Sequence, residues 1–222
     1  MLVTNHHDER DPPEMKSPEN ASRTGYHHGD LKSALLEAAR TLLERDGPEA
    51  ISFRAIARAA GVSQTAPYHH FQNKEDLLAT LAGSGFQQLG ICQEYAAANA
   101  NPGRGRIVAI GLDYVRFAIA NPQLYRLMFG VGISNWRAYP DVLELKSATF
   151  RPIQTALTTY LAESGKTDGV RLGDIATAAW SLVHGMSMLI IDGSLDHAGS
   201  DPLKIERILT GYVNALDPGR DA

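Results

Sequence analysis

Cys92 is the single cysteine in 222 residues, so no intramolecular disulfide is possible and nothing asks for an oxidising compartment. Its simplest reading is a small core residue. Long apolar runs are also scarce. The longest, Ile175 to Ile191, is broken by Thr177, Ser181, His184 and Ser187 and is short for a bilayer span, which leaves no membrane partner to expect. Met1 to Ser22 holds acids, three prolines and the pair His6-His7 but no apolar segment; it reads as a disordered leader and not as a signal peptide. A soluble, cytoplasmic protein is the expectation.

An excess of positive charge is missing too. The net charge is -4 and the pI near 6.0, so any nucleic-acid contact has to come from a local surface. Even between Ala21 and Thr80, Arg23, Lys32, Arg40, Arg45, Arg54, Arg58 and Lys74 are matched by Asp30, Glu37, Glu44, Asp46, Glu49, Glu75 and Asp76. There is no glycine-rich phosphate loop, nucleophile elbow or metal-ligand spacing, so no catalytic residue, cofactor or metal is expected. The pairs His27-His28 and His69-His70 would point about 100° apart on a helix and lack further ligands at useful spacing. The rival class is a helical enzyme that uses His184 or a histidine pair as acid or base, with Asp113 or Asp192 as partner.

No run after Gly29 alternates apolar and polar residues, whereas almost every segment has helical period, which predicts an all-α fold. Leu31, Leu35, Ala38, Ala39 and Leu42 form one face of a first helix, capped near Asp30 and stopped at Gly47-Pro48. Ser52 caps a short second helix with Phe53, Ile56, Ala57 and Ala60 as its stripe, ended by Gly61. Ser63 is placed to cap a third, which carries Tyr68 and ends near Phe71. Two short helices joined by a tight glycine turn make a helix-turn-helix. Asn73 then caps a longer helix with Leu77, Leu78, Leu81 and Phe86 inward.

A second helical unit follows Asn101-Pro102-Gly103. Ile107, Ile110, Tyr114 and Phe117 share a face up to Asn121-Pro122, with Arg104 and Arg106 as its solvated start. A short helix carries Leu124, Leu127 and Met128. An irregular loop, Gly130 to Pro140, holds Trp136. The stretch from Asp141 to Ser164 reads as one helix bent at Pro152. Ile175 to Ile191 is apolar nearly all round, which calls for burial on more than one side, and Gly185 would allow close helix approach. Asp201-Pro202 starts a last helix with the stripe Ile205, Ile208, Leu209, Tyr212, Val213 and Leu216. Such a terminal pair suits a four-helix interface between two copies, with Ile208 and Leu209 at its centre.

The stretch from Gly25 to Leu31, followed by the turn and by Gly61 to Leu78 (GVSQTAPYHHFQNKEDLL), resembles the DNA-binding head of the TetR family over about fifty residues. Ala179 to Met186 (AWSLVHGM) resembles the Trp-His-Gly signature of one C-terminal domain type in that family. The resemblance implies a leader over 1–22, a helix-turn-helix domain over 23–80, a helical ligand-binding and dimerisation domain over 81–217, and a tail over 218–222. It implies a homodimer that represses from a palindromic double-stranded operator and is released by a small-molecule effector, hydrophobic or amphipathic. Gln64, Thr65, Tyr68 and His69 would face the major groove, with Arg54 available from the preceding helix, while Ser52, His70 and Lys74 fall at phosphate-facing positions. The free N–H groups of a helix begun by Ser63 suit a phosphate, and Gln64 suits base edges. Arg23, His27 and His28 would form an arm along the backbone. Pro67 departs from the pattern: it stands where leucine is usual and removes an early helical hydrogen bond.

Trp180 and His184, four residues apart, share a helix face and either line a ligand pocket or fill the core. Tyr114, Phe117, Met128, Phe129 and Met188 supply bulky soft surface nearby, read either as core or as the wall of an effector site. Without the resemblance the head would be a plain helical hairpin with Tyr68 and Phe71 as core.

Overall fold

The computed structural model describes residues 28–130, 132–165, 172–195 and 201–216, with the side chains of 28–30 excepted. The expected leader, the arm residues Arg23 and His27, and the tail lie outside them. Nine α-helices and no strand occur among the described residues.

Helix α1 (His28–Asp46) is already formed at His28, so Asp30 sits inside its first turn and is not the cap. Leu35, Ala39, Leu42 and Leu43 bury its inner face. Gly47, at φ 79°, ends it in a conformation that costs a glycine little, and a 3-10 turn over Pro48–Ala50 delivers Ile51 to the same core. Helix α2 (Phe53–Ala59) is capped as expected: Ser52 Oγ accepts from the Ala55 N–H at 3.2 Å. Gly61, at φ 68°, turns the chain.

The segment after this turn differs from expectation. It is a 3-10 turn over Ala66–His69, and Ser63 does not cap it; the Ser63 hydroxyl pairs with Thr65 Oγ1 at 3.1 Å. The cause is Pro67. In an α-helix capped by Ser63, the residue at 67 would donate to Ser63 O, and proline has no N–H. The Ala66 N–H takes that carbonyl instead, at 3.1 Å, and the turn continues with Tyr68 N–H to Thr65 O at 3.2 Å. Pro67 is itself buried, so it fills the inward place expected of leucine while tightening the backbone.

Helix α3 (Lys74–Asn99) joins the two parts of the molecule. Asn73 Oδ1 accepts from the Asp76 N–H at 2.9 Å, and Asp76 Oδ2 accepts from Gln72 N–H at 2.8 Å. Leu77, Leu78 and Leu81 belong to the core around α1 and α2, whereas Phe86, Leu89 and Gln93 are buried further along. The boundary expected at residue 80 therefore falls inside one continuous helix.

Helix α4 (Arg104–Ala120) is the hub of the body, touching α3, α7 (Arg151–Glu163), α8 (Leu172–Ile191) and α9 (Pro202–Ala215). A side chain at Gly111 would meet Leu209 and Val183 at 3.2 and 3.4 Å, so α4, α8 and α9 converge there. Gly85 plays the same part between α3 and α5 (Pro122–Phe129): a Cβ would sit 2.6 Å from Met128 Sδ. Gly185, expected in this role, faces nothing within 4 Å in the single chain.

Four further expectations change. Pro152 starts a new helix instead of bending an old one: α6 (Pro140–Ala148) ends before it and α7 begins with Pro152 in its first turn. Arg104 is not a solvated helix start, since its Nε donates to Tyr160 Oη at 2.9 Å and its Nη1 to Asn214 Oδ1 at 3.1 Å, tying α4 to α7 and α9. Helix α8 has twenty residues, long and apolar enough to cross a bilayer by length and composition. It buries one side in the chain, through Ala176, Ala179, Val183, Met186 and Ser187, and leaves Ala178, Ser181 and Leu189 outside. On α9, Ile205, Leu209 and Val213 point into the protomer's own core, and Ile208, 40% exposed, points out. Leu209 is thus a core residue of the single chain.

Candidate nucleic-acid interface and the cleft behind it

The turn from Ser63 to Phe71 sorts its side chains by the 3-10 geometry. Ala66, Pro67 and Phe71 point to the core, and Ser63, Gln64, Thr65, Tyr68 and His69 point out. His70 is half-buried. Tyr68, 67% exposed, is held by an edge-to-face contact with Phe53, ring centroids 4.8 Å apart. It is therefore neither core nor a free rotor. Ser52 and Arg54 are exposed on α2 beside it, with the Ser52 hydroxyl committed to its cap. Lys74 is exposed at the start of α3, its Nζ donating to Pro48 O at 3.3 Å and meeting no carboxylate among the described residues. The eight exposed residues, five on the turn and three on the flanking starts of α2 and α3, offer amide, hydroxyl, phenol, imidazole, guanidinium and ammonium groups, a set able to contact both base edges and phosphates.

This head is fastened to the body by long-range hydrogen bonds that the sequence did not disclose. Helix α5 opens with Pro122, which has no N–H, and its cap residue Asn121 makes no side-chain cap. Asn121 is used elsewhere: Oδ1 accepts from Arg40 Nη2 at 2.6 Å and Nδ2 donates to Phe117 O at 2.9 Å. Glu44, on α1, supplies the cap, accepting the Gln123 N–H at 3.2 Å and the Leu124 N–H at 2.9 Å. Glu75 makes a second clasp with the irregular loop, accepting from Ser134 N–H and Oγ, both at 2.8 Å, and from Asn135 N–H at 3.4 Å. These bonds, led by the Ser134 hydroxyl, hold its carboxyl below the usual range.

Between the two parts lies a cleft of about 740 Å³. Leu43, Pro48, Glu49, Lys74, Glu75 and Leu78 line its head side; Gln123, Arg126, Leu127, Phe129, Gly130, Gly132, Ser134, His184 and Met188 line its body side. Of the seven residues singled out for an effector, Phe129, His184 and Met188 lie here. Tyr114 and Trp180 face a slot of only about 30 Å³ deeper in the body, beside Gln93, whose buried Oε1 has no partner among the described residues. Phe117 and Met128 line neither space and are buried in the core.

His184 lines the cleft and stacks on Trp180, which lines the slot. Its ring stacks on Trp180 (centroids 5.1 Å apart, 21° between planes) and meets the Phe129 edge at 4.8 Å. Nδ1 lies 2.6 Å from Tyr125 Oη and 3.3 Å from Tyr114 Oη; Tyr125 Oη donates to Tyr114 Oη at 2.9 Å, and Trp180 Nε1 to the same oxygen at 3.3 Å. Tyr125 is the member that sequence reasoning missed. Its neighbours Leu124 and Leu127 made the segment read as plain core, and only the crossing of α4, α5 and α8 brings its hydroxyl to His184. Burial pushes the Tyr114 hydroxyl up to about 12 and the Tyr125 hydroxyl higher still, so both stay protonated. Burial, then the charge of Lys146, pushes His184 down and favours the neutral ring. Lys146 stands over the rings of Phe86, Phe129 and Trp136 at 5.2 to 5.8 Å and is itself lowered by burial. Among the described residues no carboxylate serves His184: Asp192 is taken by Arg126 at 2.7 Å, and burial raises Asp113, which has Arg116 as its charged neighbour. His184 is thus not paired with a carboxylate among the described residues. Cys92 is half-buried with its thiol raised by burial, which suits an unreactive position.

Comparison with known proteins follows the same division. Residues 35–81 match the family described as bacterial regulatory proteins, tetR family, and residues 107–212 match the tetracyclin repressor-like C-terminal domain. The chain belongs to the TetR family. A Rhodococcus sp. RHA1 protein of unknown function is 32% identical over 87% of this chain and 98% of its own, with a TM-score of 0.75. FadR of Bacillus subtilis, a transcriptional regulator solved with stearoyl-CoA, shares the fold at 15% identity, covering 81% of this chain and 98% of its own, with a TM-score of 0.66. The HTH-type transcriptional regulator Rv1816 of Mycobacterium tuberculosis is 26% identical over 113 residues, 50% of this chain and 48% of that protein. This TetR-family chain thus spans about half the length of the curated relatives it matches. Those relatives are HTH-type transcriptional regulators.

Proposed function

We propose that this TetR-family protein is a cytoplasmic, ligand-responsive repressor that binds a palindromic operator as a homodimer. The observation that carries the reading is the rigid turn with Ala66 and Pro67 inward and Gln64, Thr65, Tyr68 and His69 outward. In this reading residues 23–80 read DNA, with Gln64, Thr65, Tyr68, His69 and Arg54 at the bases and Ser52, Ser63, His70 and Lys74 at phosphates. Residues 81–217 dimerise and sense. The second copy covers the open sides of α8 and α9, where Leu189, Leu203 and Ile208 stand exposed.

The effector lies against Phe129, His184 and Met188. Tyr114 and Trp180 hold the imidazole in place, and Phe117 and Met128 pack behind; the Trp180, His184, Gly185 sequence fits a Trp-His-Gly type of body. A protein of this fold has been solved with stearoyl-CoA, an amphipathic molecule. Release needs a difference in effector affinity between DNA-competent and DNA-incompetent states, and a hundredfold loss of operator affinity needs about 2.7 kcal/mol of it. The test is a search of the DNA flanking the gene for an inverted repeat that the purified protein retards in a gel, repeated with candidate effectors. A retarded repeat freed by one compound is expected; retardation of no flanking sequence would overturn the reading.

A further inference from the structure

The ionised groups that line the cleft between head and body cancel: Lys74 and Arg126 stand against Glu49 and Glu75. Three of them are also committed, Arg126 to Asp192, Glu75 to Ser134 and Asn135, and Lys74 to the Pro48 carbonyl. A ligand with a net charge would find no uncompensated partner among these groups, and an ion taken out of water without one is costly. The wall offers apolar surface instead, from Leu43, Leu78, Leu127, Phe129 and Met188, around a volume of about 740 Å³ that suits a small molecule.

One polar atom on this wall is left over, and counting protons fixes its character. Tyr125 Oη spends its single proton on Tyr114 Oη at 2.9 Å. Towards His184 Nδ1, 2.6 Å away, the same oxygen can then only accept, so Nδ1 carries the proton of the ring. Burial and the charge of Lys146 oppose a second proton, which leaves Nε2 with a bare lone pair. Nε2 has no protein partner among the described residues, and unlike Gln93 Oε1 it is not sealed off, so it opens on the cleft that His184 lines. Phe129 meets the imidazole at 4.8 Å and Met188 lies one turn along α8, so apolar side chains adjoin the acceptor.

We infer that the effector is an uncharged molecule with an apolar body and an O–H or N–H group, which donates to His184 Nε2 while the body rests on Phe129, Leu127 and Met188. The inference rests on the reading of the protein as an effector-released DNA binder and names the chemical class that the same site takes. A molecule there touches the head side and the body side of the cleft at once. It can in this way favour one placement of the head over another, which is what differential affinity requires.

Isothermal titration of the full chain tests it with three sets of a donor, its methylated form and an ionised counterpart. These are octanol, octyl methyl ether and octanoate; 2-naphthol, 2-methoxynaphthalene and 2-naphthoate; and 4-phenylbutanamide, its N,N-dimethyl amide and 4-phenylbutanoate. At least one donor should bind about tenfold more tightly than both other members of its set, as one net hydrogen bond allows. His184→Phe, which keeps a ring against Trp180 and removes the acceptor, should bind donor and methylated form alike. Nitrogen NMR of the wild-type chain with labelled histidine needs no folded variant: the preferred donor should move the bare Nε2 resonance of His184 upfield and its methylated form should not. The preferred donor should also weaken binding of the wild-type protein to its DNA. The inference is overturned if no donor exceeds its methylated form, if the ionised compounds bind as tightly, if the preference survives His184→Phe, or if Nε2 stays unmoved. Release of DNA by an ionised compound alone overturns it and leaves the regulator reading standing, whereas failure to bind any duplex without added compound overturns that underlying reading.

Discussion

Replacing Glu44 by alanine should loosen the joint between head and body in a way that the structure lets one size. Of the first three backbone positions of α5, two carry an N–H that needs an acceptor outside the helix. Pro122 has no N–H, and the donors of Gln123 and Leu124 both go to Glu44; the next, Tyr125 N–H, already reaches Asn121 O at 2.8 Å. No other side chain stands in, because Asn121 is held by Arg40 and Phe117. Loss of a cap costs about 1–2 kcal/mol and loss of a negative charge at a helix start about 0.3–1 kcal/mol. Glu44→Ala should therefore cost about 2 kcal/mol, and Glu44→Gln, which keeps one carbonyl acceptor, about 1 kcal/mol. For a chain of this size each kcal/mol shifts the melting temperature by about 2–4 °C, so scanning calorimetry should find alanine about 4–8 °C below wild type and glutamine between. Hydrogen exchange should speed up first at the Gln123 and Leu124 amides. Equal melting temperatures for wild type and Glu44→Ala, with unchanged exchange at those two amides, would refute the capping account.

Lys74→Ala should weaken binding to every DNA sequence and flatten the dependence of log K on log salt by about 0.9 per half-site, whereas Gln64→Ala should change base preference; gel shifts over a salt series check both, and an unchanged slope in Lys74→Ala removes the phosphate contact. Ile208→Glu should give a folded monomer by light scattering, since an unpaired charge buried between copies costs about 3–5 kcal/mol, and an intact dimer would move the interface elsewhere. Leu209 is unsuited to that test because it fills the protomer's own core. The lowered His184 in the fold sets a pH dependence. Above about pH 6.5 the ring is neutral in both states; as pH falls below that, the unfolded chain takes up a proton that the folded chain refuses, so stability drops until the folded ring also titrates. The fall in melting temperature between about pH 7.5 and pH 5.5 should be smaller in His184→Gln, and identical falls in both proteins would contradict a neutral, buried-side imidazole.

The parts of the fold visible in the sequence are those set by local chemistry. Ser52, Asn73 and Asp201 cap helices through their own side chains, Gly47 and Gly61 end elements at positive φ, and each could be read from a few adjacent residues. The outward set on the turn came from the resemblance to the TetR head, and its 3-10 form follows from one missing N–H at Pro67. What escaped depends on contacts far apart in the chain. Glu44 caps a helix some eighty residues on, Tyr125 meets His184 only because α5 crosses α8, and the cleft exists only between halves whose mutual placement no local pattern encodes. Ile208 and Leu209 looked alike in the stripe of α9, and only packing against α4 separates the inward from the outward residue.

The central claim, sequence-specific DNA recognition by the turn from Ser63 to His69, is tested most directly by fluorescence anisotropy. The inverted repeat selected by the protein is titrated beside a scrambled duplex of equal length and composition, at one physiological salt concentration. Preference for the repeat by at least about a thousandfold, reduced on exchange of Gln64 or Tyr68, is the result this account predicts. Equal affinity for the two duplexes would contradict it.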